Sequence, residues 1–296
     1  MKAACFSQFG GPEVLEIVDL PDPHPGPDQI RIAVRAAGIN ASDWKKRKGQ
    51  MDRDLPQTLG YEAAGIVDEL GEGVTDVGIG DRVFGFCIDG AAQAELAVLT
   101  YYAPIPPSLN FADAAALPAA VETATRALDQ LGVGSGSSLL INGASGSVGS
   151  AAVQLAVARG ARVIGIASPS NHDYLRSLSA EPVAYGEGVL ERVRAAAPDG
   201  VDGVFDLVGG DALRAVAGLV DPKRLRSVAD KPLVRELGGD EVPRERSTAV
   251  LTALVELVAA GELDPHVSEV HPFDEAPAAM RAVESGHALG KVTIRL

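Results

Sequence analysis

Leu139-Leu140-Ile141-Asn142-Gly143-Ala144-Ser145-Gly146-Ser147-Val148-Gly149-Ser150-Ala151-Ala152-Val153-Gln154-Leu155-Ala156 carries the strongest structural signal in the chain. Residues 138–142 form an apolar run of strand length, a glycine turn follows, and the chain opens directly into an alanine-rich helix over 147–159. In this setting Gly143 permits the tight turn, Gly146 lets the backbone approach a pyrophosphate, and Gly149 lets helix pack closely on strand. The helix N-terminus adds unpaired N–H groups and the positive end of its dipole. Gly143, Ser145, Gly146, Ser147, Val148 and Gly149 are therefore the expected dinucleotide contacts. A glycine pattern alone is also an ordinary turn; the strand–turn–helix context favours the binding reading.

Working outward, a strand over 162–167, a helix over 171–178, a strand over 203–208 and a helix over 211–219 continue the alternation. Successive β-α repeats predict a doubly wound parallel sheet. Upstream the texture differs: glycine and proline punctuate residues 1–110, with Pro21, Pro23, Pro25 and Pro27 inside one short stretch. Short strands are expected over 14–18, 29–37, 63–70, 81–86 and 93–99, without helices between them, which suggests a β-rich lobe. A helix over 114–131, capped by Asn110 or Asp113, should break or kink at Pro118. The C-terminal part reads as helix 247–260, strand 267–271, helix 274–285 and strand 291–296. The expected division is a β lobe of residues 1–110 and 267–296, and a nucleotide domain of residues 111–266.

Composition agrees with a folded two-domain α/β protein. The chain has 296 residues, 46% hydrophobic and 22% charged, with a net charge of −14 and a pI near 4.8. So acidic a surface disfavours nucleic acid and anionic membranes as partners. No apolar run approaches ~18 residues, and a cytoplasmic protein is expected. Cys5 and Cys87 lack CxxC spacing and a histidine cluster, so they read as small buried hydrophobes rather than a disulfide or thiolate zinc site. Lys45, Lys46, Arg47 and Lys48 are the one dense basic run, read by default as solvated.

The end of the second strand selects the dinucleotide. A carboxylate there would hold the adenosine ribose of NAD, and its absence leaves room for the phosphate of NADP. The segment Val163-Ile-Gly-Ile-Ala-Ser168-Pro-Ser170-Asn171-His172 has no carboxylate before Asp173, so NADPH is favoured. Ser168, Ser170 and Asn171 are candidate phosphate donors and His172 a source of partial charge, although each also suits a turn or a cap.

Taken with Ala36-Ala-Gly-Ile-Asn40-Ala-Ser-Asp43-Trp-Lys45-Lys-Arg47-Lys-Gly49, Gly60-Tyr-Glu62-Ala-Ala-Gly65, Gly80-Asp81-Arg82-Val83, Leu117-Pro-Ala-Ala-Val-Glu-Thr123-Ala and Gly290-Lys291-Val, these features resemble a zinc-independent quinone oxidoreductase of the medium-chain dehydrogenase/reductase superfamily. The resemblance covers essentially the whole chain. It implies a GroES-like β-rich catalytic lobe plus a Rossmann dinucleotide-binding domain, in homodimers. The three positions matching the catalytic-zinc ligands of zinc alcohol dehydrogenases carry Asn40, Tyr61 and Ala119, and the structural-zinc loop is missing at residues 85–90, so no metal is expected.

The resemblance also assigns individual residues. Asn40 is implied beside the nicotinamide ribose, Thr123 near the carboxamide and Tyr185 against the adenine ribose, though Tyr185 would equally serve as a strand-end aromatic. Val208 and Lys291 complete the implied cofactor set. Lys45 takes a slot where relatives face the substrate with a tyrosine, so Lys45 and Asn40 are the candidate catalytic residues, while Lys46, Arg47 and Lys48 are expected to remain mostly solvated. Relatives often place a cation near Ser170, and they carry further strands between Ala229 and Arg246. The implied reaction is hydride transfer from NADPH to a quinone or an α,β-unsaturated carbonyl. The rival reading is an NADPH-binding protein of the same fold without significant catalysis.

Overall fold

The computed structural model describes residues 1–296. It begins with β1 (Lys2–Phe6) and β2 (Glu16–Asp19). Where a strand was expected over 14–18, a 3-10 turn occupies Pro12–Val14. Pro12 presets the turn's φ and has no N–H for a ladder, which delays the strand. Next come β3 (Ile30–Gly38), α1 (Ala41–Arg47), β4 (Gln57–Thr58), β5 (Glu62–Leu70), β6 (Arg82–Phe86), β7 (Leu96–Leu99) and β8 (Tyr101–Pro104). Along β3, Ile30, Ile32 and Val34 are buried at every second position, the period of a strand with one face on a core.

Helix α2 (Phe111–Leu131) follows, and Asn110 caps it through Oδ1, which accepts the Asp113 N–H at 2.9 Å. Pro118 lies inside this helix without ending it. The next backbone N–H, on Ala119, has a partner outside the helix, Glu62 Oε2 at 2.7 Å. A carboxylate acceptor beside the proline offsets part of the disruption that proline imposes on a helix interior.

Six strands then build one parallel sheet: β9 (Ser138–Asn142), β10 (Arg162–Ala167), β11 (Glu181–Ala184), β12 (Gly203–Asp206), β13 (Leu225–Ser227) and β14 (Asp240–Glu241). They alternate with α3 (Ser147–Ala158), α4 (His172–Ser177), α5 (Val189–Ala196), α6 (Gly210–Ala217) and α7 (Lys231–Glu236). Their order across the sheet is β11-β10-β9-β12-β13-β14. Counted from β9, this is three-two-one-four-five-six, the Rossmann order, which reverses direction between β9 and β12. Leu140, Ile164 and Val204 are fully buried on three adjacent strands. Each contributes roughly 1.5–3 kcal/mol on leaving water.

The chain ends with α8 (Thr248–Ala259), β15 (Val267–Pro272), α9 (Ala276–Glu284) and β16 (Lys291–Arg295). β15 and β16 join β3, β5, β6 and β8 in a seven-stranded sheet, with β7 also on β3; β2, β1 and β4 form a three-stranded one. Helix α9 turns Ala276, Ala279 and Met280 into this core, the three-and-four spacing of a helix face. The chain clusters into two compact units: residues 1–119, 246–259 and 265–296, and residues 120–245 with 260–264. Compared with the expected division, the first unit also takes in the start of α2 and all of α8.

Within the basic run Lys46 and Arg47 correct the expectation of a solvated surface, while Lys48 is exposed as expected. Lys46 is 7% exposed and Arg47 not at all. The Arg47 guanidinium reaches Glu284 at 2.5 Å, Lys48 shares that carboxylate, and the Arg47 carbonyl accepts the Gly10 N–H. A charge can be buried where such partners are in place, and α1 packs on α9 through these pairs.

Candidate functional site

In the second unit the glycine turn joins β9 to α3. Gly143 has φ +87°, and the N–H groups of Gly143 and Ala144 donate to Ile166 O at 3.1 and 3.0 Å, tying the turn to β10. A Cβ on Gly149 would lie 2.3 Å from Gly143 O, so helix and turn meet as closely as backbone allows. Gly146 differs: a Cβ there would have Gly143 O, 3.8 Å away, as its nearest neighbour. The protein's own packing does not require glycine at 146, and the missing side chain leaves a cradle above the helix end. Gly146 is the N-cap and offers no side-chain acceptor to the first N–H groups of α3. Ser147 Oγ is buried without a protein partner. Unpaired donors around an open cradle suit an anion, and the residues present fit the pyrophosphate of a dinucleotide.

Beside the turn, the predicted polar residues come together. Asn171 Nδ2 donates to Ser145 Oγ at 3.0 Å, and Ser168 Oγ and Ser170 Oγ lie 2.6 Å apart. Ser170 is exposed, and no carboxylate belongs to this cluster. Asp173, the nearest acid in sequence, faces water and pairs with Arg176 at 2.7 Å. Val208 is 54% exposed and borders Gly143, where an added Cβ would lie 3.0 Å from its Cγ2. Tyr185 follows the edge strand β11, 56% exposed and outside the hydrogen-bonded cluster. Thr123, on α2, is half-buried.

Sequence reasoning missed what holds the Val208 turn. Asp206, fully buried at the end of β12, accepts Asn142 Nδ2 at 2.7 Å, Ser227 Oγ at 2.6 Å and the N–H groups of Val208 and Gly209. One carboxylate thus ties together the C-terminal ends of β9, β12 and β13. The signal available beforehand was an acid closing an apolar strand.

In the first unit Asn40 caps α1. Its backbone N–H donates to Asp43 Oδ2 at 2.8 Å, and Asp43 Oδ1 accepts the Gly60 N–H at 3.1 Å. Burial pushes the Asp43 carboxyl up to about 6, with these two N–H groups and Lys291 pulling the other way and Glu62 reinforcing the rise. Asn40 Nδ2 donates to Glu62 Oε1 at 2.7 Å, and Lys291 Nζ donates to Asn40 Oδ1 at 2.7 Å and Glu62 Oε1 at 2.5 Å. Glu62 and Lys291 are fully buried. Gly38 makes room for the carboxylate, since a Cβ there would lie 2.3 Å from Glu62 Oε1. Lys291, predicted as a cofactor contact, therefore has its ammonium committed to Glu62 and Asn40.

Lys45 is half-buried, its ammonium 5.6 Å from the Trp44 ring centroid. Its neighbour Lys46 stands 5.3 Å from the Tyr61 ring, and the Arg246 guanidinium 5.4 Å from the same ring. No local pattern in the sequence joins Lys46 and Arg246 to Tyr61. Burial pushes the Cys87 thiol up to about 12, so it remains a neutral core side chain. No group of three His, Cys, Asp or Glu side chains is arranged to hold a metal ion.

Comparison with known proteins agrees with both halves of this description. Residues 26–111 match the alcohol dehydrogenase GroES-like domain, and residues 178–294 the family described as zinc-binding dehydrogenase. A 2-methylene-furan-3-one reductase of Solanum lycopersicum is 32% identical over 99% of this chain and 79% of its own length. An NADPH-dependent alkenal/one oxidoreductase of Arabidopsis thaliana is 31% identical with the same coverage. The quinone oxidoreductase of Coxiella burnetii superposes with a TM-score of 0.92 at 33% identity, covering 100% of this chain and 99% of its own. With the Rossmann order, the glycine turn and these relatives in agreement, the chain belongs to the medium-chain dehydrogenase/reductase superfamily, in its quinone oxidoreductase-like branch.

Proposed function

We propose that this protein is an NADPH-dependent, zinc-independent reductase of quinones or α,β-unsaturated carbonyls. The observation that carries the reading is the cradle over Gly146, where donors without protein acceptors meet space for an anion. Bound NADPH supplies the hydride. Gly143, Ser145, Gly146, Ser147, Val148 and Gly149 would hold its pyrophosphate, and Ser168, Ser170 and Asn171 would receive the 2′-phosphate. Val208, Tyr185, Thr123 and Asn40 would contact the rest of the cofactor.

Hydride addition to a conjugated carbonyl leaves negative charge on the oxygen, and a cationic donor stabilises it. Lys45 is assigned that hydrogen bond, since it is a half-buried lysine whose Nζ lies 5.6 Å from the Trp44 ring centroid. The metal-free reading draws on the chemistry of the three matched positions. An amide, a phenol and an alanine are not a zinc set, and the Lys291 ammonium on Asn40 Oδ1 repels a second cation. The relatives that carry enone, alkenal or quinone reductase names support the substrate class.

The test is NADPH oxidation with a panel of quinones and enones, using wild type and Lys45→Met. Turnover with at least one acceptor, reduced about ten- to a hundredfold in kcat by Lys45→Met, is expected for the loss of one charged hydrogen bond. NADPH binding without turnover on any acceptor would instead favour a cofactor-binding protein. The homodimer implied by the resemblance should appear in light scattering as twice the 30.5 kDa chain.

A further inference from the structure

Two of the three positions that match metal ligands in zinc alcohol dehydrogenases, Asn40 and Ala119, are joined here by one buried ion pair. Glu62 Oε2 accepts the Ala119 N–H at 2.7 Å, while Glu62 Oε1 accepts Asn40 Nδ2 at 2.7 Å and the Lys291 ammonium at 2.5 Å. Lys291 closes the triangle on Asn40 Oδ1 at 2.7 Å. Neither charged side chain is exposed at all. A buried ion pair is weak evidence for stability, because desolvation offsets much of the attraction. A role in geometry is the better account of its presence.

We propose that Lys291 and Glu62 are positioning residues which fix the orientation of the Asn40 amide and so its contact with the dinucleotide. The ammonium faces the amide oxygen and the carboxylate faces the amide nitrogen. Turning the amide over would set NH2 against an ammonium and C=O against a carboxylate, so one orientation is imposed from both sides. Asp43 fixes the backbone beneath it through the Asn40 N–H. One Nδ2 proton and one Oδ1 lone pair then remain in set directions for a ribose hydroxyl. A covalently attached cation, reaching from β16 to α1, and its carboxylate partner, reaching the Ala119 N–H of α2, thus order this end of the site. The proposal rests on Asn40 as a cofactor contact, and the experiment separates the two claims.

Three proteins are compared with the wild type: Asn40→Ala, Glu62→Gln/Lys291→Met, and the triple combination. In the double variant neither member of the Glu62–Lys291 pair is left charged without its partner. The new amide oxygen can accept the Ala119 N–H, and its NH2 faces Asn40 and favours the reversed amide. NADPH affinity by fluorescence titration, kcat, KM and the melting temperature are read for each, with Lys291→Arg as the conservative rescue. Asn40→Ala is expected to weaken NADPH about tenfold, as the loss of one hydrogen bond predicts. The double variant should weaken it by a similar factor while melting near the wild type, and Lys291→Arg should recover most of the affinity. The triple variant should bind no worse than the double, since all act through one contact. Wild-type affinity and kcat in the double variant, or additive losses in the triple, would overturn the positioning role while leaving Asn40 as a contact. Wild-type affinity in Asn40→Ala would overturn both.

Discussion

Asp43 shows how much a single residue determines beyond hydrogen bonding. Its carboxyl titrates near 6 in the folded protein against 3.8 for an ordinary aspartate, because burial disfavours the charge more than the Asn40 and Gly60 N–H groups and Lys291 favour it. The folded state therefore holds this proton more tightly than the unfolded chain. Its contribution to stability is fully present below pH 3.8 and is lost as pH rises through 6. A shift of about two units corresponds to ~3 kcal/mol. Glu62 and Lys291 face the same carboxyl, so the effect must be isolated by difference. Denaturant unfolding of wild type and Asp43→Asn across pH 4 to 7 should show wild type losing up to ~3 kcal/mol relative to the variant. Parallel profiles would contradict this.

At the same scale, the Ser168–Ser170–Asn171 cluster is the part of the molecule proposed to set cofactor choice. One or two hydrogen bonds to a partly exposed phosphate predict that NADPH binds roughly ten- to a hundredfold tighter than NADH. Ser170→Arg should widen the margin by adding a bidentate phosphate partner. Equal affinities for the two reduced cofactors would show that the missing carboxylate has been misread. These candidates could be named from the sequence because they follow one strand in order. The pairing of Glu62 with Lys291 could not, since the two lie 229 residues apart and a pairing made by tertiary packing leaves no local pattern.

Among the elements, α3 most directly links sequence to function. Gly146 and Gly149 occupy the same turn and predict opposite outcomes. Gly146→Asp should leave folding intact, because its Cβ meets Gly143 O at an ordinary 3.8 Å, yet abolish dinucleotide binding by setting a carboxylate against the pyrophosphate. Gly149→Ala drives a Cβ to 2.3 Å from Gly143 O and should cost about 1–3 kcal/mol of stability through overpacking. Circular-dichroism melting combined with cofactor titration distinguishes the two; a stable, tightly binding Gly146→Asp protein would misplace the phosphates. The β-α alternation was readable from apolar runs of strand length, and β10 falls where the sequence put it. β1, β8 and β14 were missed because short strands beside turns carry too few residues for a period of two to show. Of the two outcomes expected at Pro118, the helix does not end there, because the helix-breaking rule takes no account of Glu62, an acceptor on another element.

For the whole molecule, the separation into a β-rich lobe and a doubly wound nucleotide unit was visible in the change of texture near residue 110, while the GroES-like character of the lobe came from the family resemblance. The two-way crossing of the chain was less so. α8 reads as one more helix of the nucleotide domain, but Leu251 and Leu254 are buried in a helix that packs on β8 and belongs to the first unit. Amphipathicity tells that a helix has a partner without telling which one. Metal-free hydride transfer from NADPH is tested by following NADPH absorbance with a quinone and enone panel in the presence of excess chelator. Acceptor-dependent oxidation, unchanged by the chelator and absent in Gly146→Asp, is expected. Activity that the chelator removes and added zinc restores would contradict it.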